Sequence, residues 1–269
     1  MEQSDISIKR AVQLRQLEIL KEAHRICVEN SIDYYLINGS ALGAVRHNGF
    51  IPWDDDVDIA LFRRDYDKLI ALCQSELKEN YFLQTNQSDP EYYLAYAKIR
   101  INGTIFKESF YDQINMHHGI FIDIFPLDTI SDSNFISTLQ YYFVRLLNYL
   151  VLLKYKRIRT IKSFIIRFLF SPVVFFMSQK KLLNMINKVI FFPGNRKTKK
   201  AFNYFGGYSN KKDSFSPTIF GNAKLMIFED DYYPIPEKWN EYLTQLYGDY
   251  MKLPSENERV GHEIIQVEF

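Results

Sequence analysis

At 269 residues, 47% of them hydrophobic and 16% aromatic, the chain can bury one large core or two small ones, and its composition excludes a disordered polypeptide. Two cysteines, Cys27 and Cys73, make neither a disulfide framework nor a zinc pattern; with no secretion signal in the opening residues, they predict a reducing, cytoplasmic setting. The net charge of +1 hides a division: residues 133–212 hold 16 Lys/Arg and no Asp/Glu, and the rest carries 17 basic against 32 acidic residues.

Ala11, Leu14, Leu17, Leu20, Ala23 and Cys27 recur at three-to-four spacing and predict an amphipathic helix over 7–29. "DYYLI", 33–37, predicts a strand, "NGS" a turn, and "ALGAVRH", 41–47, a short helix closed by Asn48-Gly49. Pro52 precedes an aspartate-rich strand, and a second helix spans 65–79 with Leu69, Leu72, Cys73 and Leu77 inward. Residues 92–106 alternate and then meet Asn102-Gly103, a two-residue hairpin signal. "GIFIDIF", 119–125, is apolar on both faces except at Asp123, the pattern of a central strand ended by Pro126. Residues 135–192 read as several apolar, basic helices broken at Pro172 and Pro193. The best apolar window, 164–177, contains Arg167 and Pro172 and is too short to span a bilayer. "GNRKTKK", 194–200, predicts an exposed loop. Trp239, Leu243 and Leu246 mark a last helix, closed by Gly248.

The stretch "IPWDDDVDIALF", 51–62, packs four aspartates into five positions. In a strand Asp54, Asp56 and Asp58 share one face and Val57, Ile59 and Leu61 the other. Asp55 then faces the wrong side or lies before the strand. Carboxylates so close repel one another unless a cation lies among them, and oxygen-only ligands favour Mg²⁺ or Mn²⁺. A solvated acidic turn is the plain alternative. Against it stands Asp123, alone in an apolar strand, where an unpaired carboxylate is costly. Asp128, after Pro126, starts a turn or caps a helix. Upstream, Gly39-Ser40 lies between a strand and a helix start, where backbone amides accept a phosphate.

Strand–Gly-Ser–helix followed by strand–Asp-x-Asp resembles the nucleotidyltransferase (polymerase-β-like) superfamily. The block "INGSALGAVRHNGFIPWDDDVDIAL" resembles more narrowly the LicD family, as do "AKIR" at 97–100, "GIFIDIFPLD" at 119–128 and "YGDYMKLP" with the later His262. These blocks run in order over residues 36–262, and residues 135–210 match no motif. The resemblance implies an α+β fold with a nucleotidyltransferase mixed-sheet core and flanking helices, to which the pattern of 135–192 adds a helical basic segment. It implies an enzyme that moves phosphocholine, or phosphoribitol or phosphoglycerol, from a CDP-linked donor to a hydroxyl of a glycan or lipid-linked glycan, with CMP leaving.

Carried over residue by residue, Gly39 and Ser40 form the phosphate turn. Asp54, Asp56, Asp58 and Asp123 hold the metal. Asp56, Asp58 and Asp123 carry catalysis, with Asp123 open between ligand and proton acceptor. Arg46 and His47 face the donor. Lys98 and Arg100 hold its phosphates or form a solvated strand face. His118 and His262 either touch substrate or are structural. The expected division is a catalytic core over 1–132, a basic aromatic-rich segment over 133–212, and a C-terminal segment, 213–269, that completes the catalytic domain. Competing readings are an adenylylating nucleotidyltransferase and a metal-dependent glycosyltransferase. The basic block also suits nucleic acid, but its apolar Phe runs argue against that partner. They favour an anionic membrane surface, placing the protein at the inner face of the cell membrane; the alternative is that the block pairs with the acidic body.

Overall fold

The computed structural model describes residues 2–109, 114–155, 165, 168–192, 198–259 and 261–269. In chain order the elements are α1 (Glu2–Glu29), β1 (Tyr35–Leu36), α2 (Asn38–His47), β2 (Asp58–Phe62), α3 (Arg63–Glu76), β3 (Tyr81–Gln84), β4 (Ala97–Ile101), β5 (Ile105–Glu108) and β6 (Phe121–Thr129). There follow α4 (Asn134–Tyr155), α5 (Ser171–Phe176), α6 (Gln179–Ile190), β7 (Ala201–Phe202), β8 (Ser214–Phe215), β9 (Lys224–Phe228), β10 (Asp231–Ile235), α7 (Trp239–Tyr247) and β11 (Ile264–Glu268).

The main sheet is mixed, in the order β1-β2-β6-β4-β3, with only β2 and β6 parallel. Alternation sorts its two faces. Ile59 and Leu61 of β2, Ile122 and Ile124 of β6, and Ala97, Ile99 and Ile101 of β4 share one core with Leu17, Leu20, Ile26 and Cys27 of α1 and Leu69 and Cys73 of α3. Full burial of each Leu or Ile contributes about 1.5–3 kcal/mol, so α1 and α3 are fixed mainly by this face. The opposite face carries Ala60, Phe125 and Leu127, packed with Leu42 of α2 and with Tyr242, Leu243 and Leu246 of α7. On that same face lie Asp58, Asp123, Lys98 and Arg100, all buried. A third cluster joins Val144, Leu147 and Val151 of α4 to Leu182, Ile186 and Ile190 of α6, with Phe202 and Tyr204. The basic segment is therefore packed, in a cluster that it shares with Tyr93, Ile114 and Ile130 of the preceding segment.

The structure corrects the sequence reading in four places. The turn residues Asn38, Gly39 and Ser40 already belong to α2, with Asn38 left-handed at φ 48° and Asn48 closing the helix at φ 56°. Asn102-Gly103 does turn the chain, with Gly103 at φ 77°, but β5 pairs with β11 instead of folding back on β4. The reason is that β3 and β6 already occupy both edges of β4. Pro126 lies inside β6 instead of ending it. On the β4 side the ladder stops at Ile124, and β7 takes over only at Asp128, so no neighbour there asks Pro126 for an N–H. Finally, β2 begins only at Asp58, so Asp54–Val57 is loop and not strand. Pro193 and most of the 194–200 loop lie outside the described residues, as do residues 164, 166 and 167 of the 164–177 window.

Candidate active site

Asp58 and Asp123 are in register on the parallel strands β2 and β6, and Asp123 is in register with Lys98 on β4. Paired residues on neighbouring strands point to the same face, so one row runs Asp58–Asp123–Lys98 across the middle of the sheet. Lys98 Nζ lies 2.6 Å from Asp123 Oδ1 and 3.3 Å from the centre of the Phe121 ring. The ammonium supplies the counter-charge that a carboxylate in this apolar strand requires. Burial lowers Lys98 below its usual range, with Asp123 acting against the shift.

The aspartate loop is held from behind by α1. Lys9 Nζ donates to Trp53 O (2.9 Å), Gln13 Nε2 to Ile51 O (3.2 Å) and Asp54 O (2.8 Å), and Gln16 Nε2 to Asp55 O (2.7 Å). These side chains satisfy carbonyls that a strand ladder would otherwise have taken. The loop so held turns Asp54 and Asp56 to the side of Asp58 and Asp123, and all four line one cavity of about 920 Å³. The grouping expected from strand alternation is present, but loop geometry produces it.

Crowding shows in the carboxyls themselves. Burial and the charge of Asp55 push Asp54 up to about 6. Burial and Asp123 push Asp58 up to about 7. Burial, then Asp58, Asp54 and Asp123, push Asp56 well above the carboxylate range. Gly39 closes the group: a Cβ there would stand 2.4 Å from Asp54 Oδ2, so no other residue lets α2 approach this closely. Oxygen-only donors, mutual repulsion and this tight cradle fit a hard divalent cation.

Asp55 turns the other way and is 1% exposed. Its two oxygens accept from the His262 backbone N–H and from His262 Nδ1, each at 2.8 Å. Gly261 is required here, because a Cβ would meet Asp55 Oδ2 at 2.6 Å. The hydrogen bond to Asp55 raises His262 to about 9 against the opposing effect of burial. Ligand atoms of Asp55, Asp56 and His262 do lie within 4.8 Å of one another. With both Asp55 oxygens taken by His262, that trio is a charged hydrogen-bond pair beside Asp56.

Of the residues singled out in the sequence, Gly39, Arg46 and His262 also line the large cavity. Arg46 is braced by Tyr250 O at 2.7 Å and stands 5.9 Å from the Trp53 ring centre. Ser40 is spent on structure, accepting from the Asp58 backbone N–H at 2.9 Å. His47 accepts from Arg46 Nε at 3.0 Å and packs edge-on to Trp53, behind the wall. Lys98, Arg100 and His118 are separated from the large cavity and line a smaller one, about 100 Å³, that shares Asp56, Asp123 and His262 with it. Arg100 is buried and donates to Gln84 Oε1 and Gly119 O, so it does not belong to a solvated strand face. His118 Nε2 bonds Ile114 O.

Other lining residues escaped the sequence reading. Asn38 Nδ2 donates to Asp58 Oδ2 at 2.9 Å, fixing that carboxylate. The walls bring Trp53 together with Tyr208 and Tyr247, whose hydroxyls are 2.6 Å apart, and Lys252 joins from beyond α7. Asn38 carried a signal, an asparagine between strand and helix where a left-handed residue fits. Tyr208 carried none, since the Gly206-Gly207-Tyr208 loop reaches the cavity only through the tertiary fold.

The family model for LicD/FKTN/FKRP, nucleotidyltransferase domain, matches residues 31–145. Over 262 residues the chain is 29% identical to the lipopolysaccharide cholinephosphotransferase LicD of Haemophilus influenzae, covering 95% of this chain and 96% of that protein. Both matches support the LicD family. A shorter stretch of 60 residues is 47% identical to uncharacterized proteins of Rickettsia typhi and Rickettsia prowazekii, covering 22% of this chain and 19% and 22% of theirs. The LicD family model spans the row Asp58–Asp123–Lys98, the aspartate loop and α2, while Tyr208, Tyr247, Lys252 and His262 lie beyond it.

Proposed function

We propose that this LicD-family enzyme transfers phosphocholine from CDP-choline to a hydroxyl of a cell-surface glycan, releasing CMP. The observation that carries the reading is the convergence of Asp54, Asp56, Asp58 and Asp123 on one cavity, in a chain colinear with a lipopolysaccharide cholinephosphotransferase over 95% of its length. The cavity, about 920 Å³, is within the range of small-molecule sites and large enough for a nucleotide-linked donor. The mixed sheet with its strand–helix–Asp-x-Asp edge supports a nucleotidyltransferase-like core. We assign residues 1–132 and 213–269 to one catalytic unit, because α7 packs on the same sheet face as α2.

The acceptor hydroxyl oxygen attacks the phosphorus that bears choline and releases its proton to solvent, the bond from that phosphorus to the bridging oxygen breaks, and CMP leaves. Asp54, Asp56, Asp58 and Asp123 would hold Mg²⁺ or Mn²⁺, whose charge neutralises the donor diphosphate. Asn38 fixes the orientation of Asp58, and Lys98 that of Asp123. With one oxygen committed to Lys98, Asp123 belongs with the cation-holding set. The first turn of α2 and the side chains of Arg46 and Lys252 offer positive charge to phosphate oxygens, and Trp53 and Tyr208 offer flat faces to a base. Positioning and charge stabilisation are the main contributions in phosphoryl transfer. We place the reaction in the cytoplasm.

Offering CDP-choline, CDP-ribitol and CDP-glycerol separately, with CMP release as readout, tests the reading. Turnover of CDP-choline above the other two is expected. Turnover of ATP or a sugar nucleotide in place of all three would overturn it.

A further inference from the structure

The inner side of α4, Tyr141, Val144, Leu147 and Val151, is core. Its outer side exposes Phe135, Ile136, Leu139, Tyr142 and Phe143, with Phe135 73% exposed. At about 100° per residue these five form one continuous stripe. Beside it, Arg145 donates to Tyr208 O and Asn210 Nδ2 to Thr138 Oγ1, which seats the 208–212 loop along the flank of α4. There Lys200, Lys211 and Lys212 line an open cleft of about 680 Å³ with Asn134, Ser137 and Thr138, and no acidic residue joins them. At the other end of α4, Lys154 Nζ bonds Met177 O, bringing up α5, whose Phe175 and Phe176 are 81% and 78% exposed.

We infer that this layer docks on an anionic lipid bilayer, with Phe135, Leu139, Tyr142 and Phe143 entering the interface and Lys200 and Lys211 meeting lipid phosphates. A surface helix with an exposed aromatic stripe buries it among acyl chains, and flanking lysines add attraction to anionic headgroups. Charge selects this occupant over a second copy. The segment 133–212 holds 16 basic residues and no acid, so a two-fold contact through it would set like charges against each other. α4 does not span the bilayer: it is the one described helix long and apolar enough, but 44% of that stretch is buried within the protein. The inference stands on the surface alone and is independent of the reaction.

Co-sedimentation of the full chain with phosphatidylcholine vesicles, with and without phosphatidylglycerol, tests it. Binding should require phosphatidylglycerol and weaken at least about tenfold in high salt, because screening acts on exposed charges. Phe135→Ser with Phe143→Ser should abolish binding without loss of fold, since both side chains are exposed. Lys200→Gln with Lys211→Gln should weaken it about tenfold or more. Equal recovery in the supernatant with both vesicle types at low salt would overturn the proposal. So would vesicle binding unaffected by all four substitutions, or a concentration-dependent dimer that Phe135→Ser abolishes in a protein that ignores vesicles.

Discussion

Asp58 and Asp123 stand side by side on the only parallel strand pair of the main sheet, and Lys98 neutralises Asp123 from the far side at 2.6 Å. Removing one member of a buried ion pair costs about 3–5 kcal/mol, because the other is left uncompensated. Lys98→Met should therefore lower stability by about that much, and adding Asp123→Asn should recover most of the loss. Urea midpoints of the single and double variants in EDTA check this. Both should lack transferase activity, since Asp123 is misplaced in one and uncharged in the other.

The carboxylate cluster trades stability for function. Asp56→Asn replaces the carboxyl that burial and its neighbours push highest, in a group in which Asp54 and Asp58 are pushed up to about 6 and 7. Relief of repulsion should raise the stability of the metal-free protein by about 0.5–2 kcal/mol while abolishing transfer. Mg²⁺ at a hundred times its dissociation constant should stabilise the wild type by about 2.7 kcal/mol and leave Asp56→Asn unmoved. Thermal midpoints with Mg²⁺ and with EDTA provide the comparison.

The sequence pattern puts Asp55 off the ligand face or before the strand. It does lie off that face, but it is buried and anchors His262. The His262 ring should titrate near 9 instead of at its ordinary 6.5, and Asp55→Asn should bring it back toward 6.5. A folded-state value above the unfolded one means that the pair's stabilisation is complete below about 6.5 and is lost as pH rises through about 9. The stability difference between wild type and His262→Ala should accordingly be larger at pH 6 than at pH 10. Ring resonances followed by NMR give the titration directly.

Asp128 contrasts with Asp123 on the same strand. Arg63 holds both its oxygens, at 2.8 and 2.6 Å, beyond the end of the cavity. Asp128→Asn should cost about 1.5–3 kcal/mol, the range for hydrogen bonds to charged groups. Transfer per folded molecule should stay at the wild-type rate. Urea unfolding and initial rates on the folded fraction separate the two effects.

Much of the sheet and the acidic site was legible because local pattern and tertiary structure agree. The three-to-four spacing of Leu17, Leu20, Ala23 and Cys27 appears as the buried face of α1. Asp123 was readable as a lone charge in an apolar run. What failed depended on partners distant in sequence. Nothing around Asn102-Gly103 says that both edges of β4 are taken by β3 and β6. Nothing near Pro126 shows the gap between Ile124 and Asp128 that admits it. Lys98 and Arg100 alternate like a solvated face, yet loops and β5 cover them. Gln13 and Gln16 look like ordinary polar positions on a helix until they meet the carbonyls of the aspartate loop.

We propose that the four-carboxylate cavity passes the choline-bearing phosphate, and not the nucleoside phosphate, to the glycan. CDP-choline labelled separately at each phosphorus, followed with a glycan acceptor and Mg²⁺, distinguishes the two. Label from the choline-bearing phosphorus should enter the glycan, label from the other should leave as CMP, and Asp56→Asn or EDTA should stop both. Nucleoside-phosphate label in the glycan, or undiminished transfer in EDTA, would contradict it.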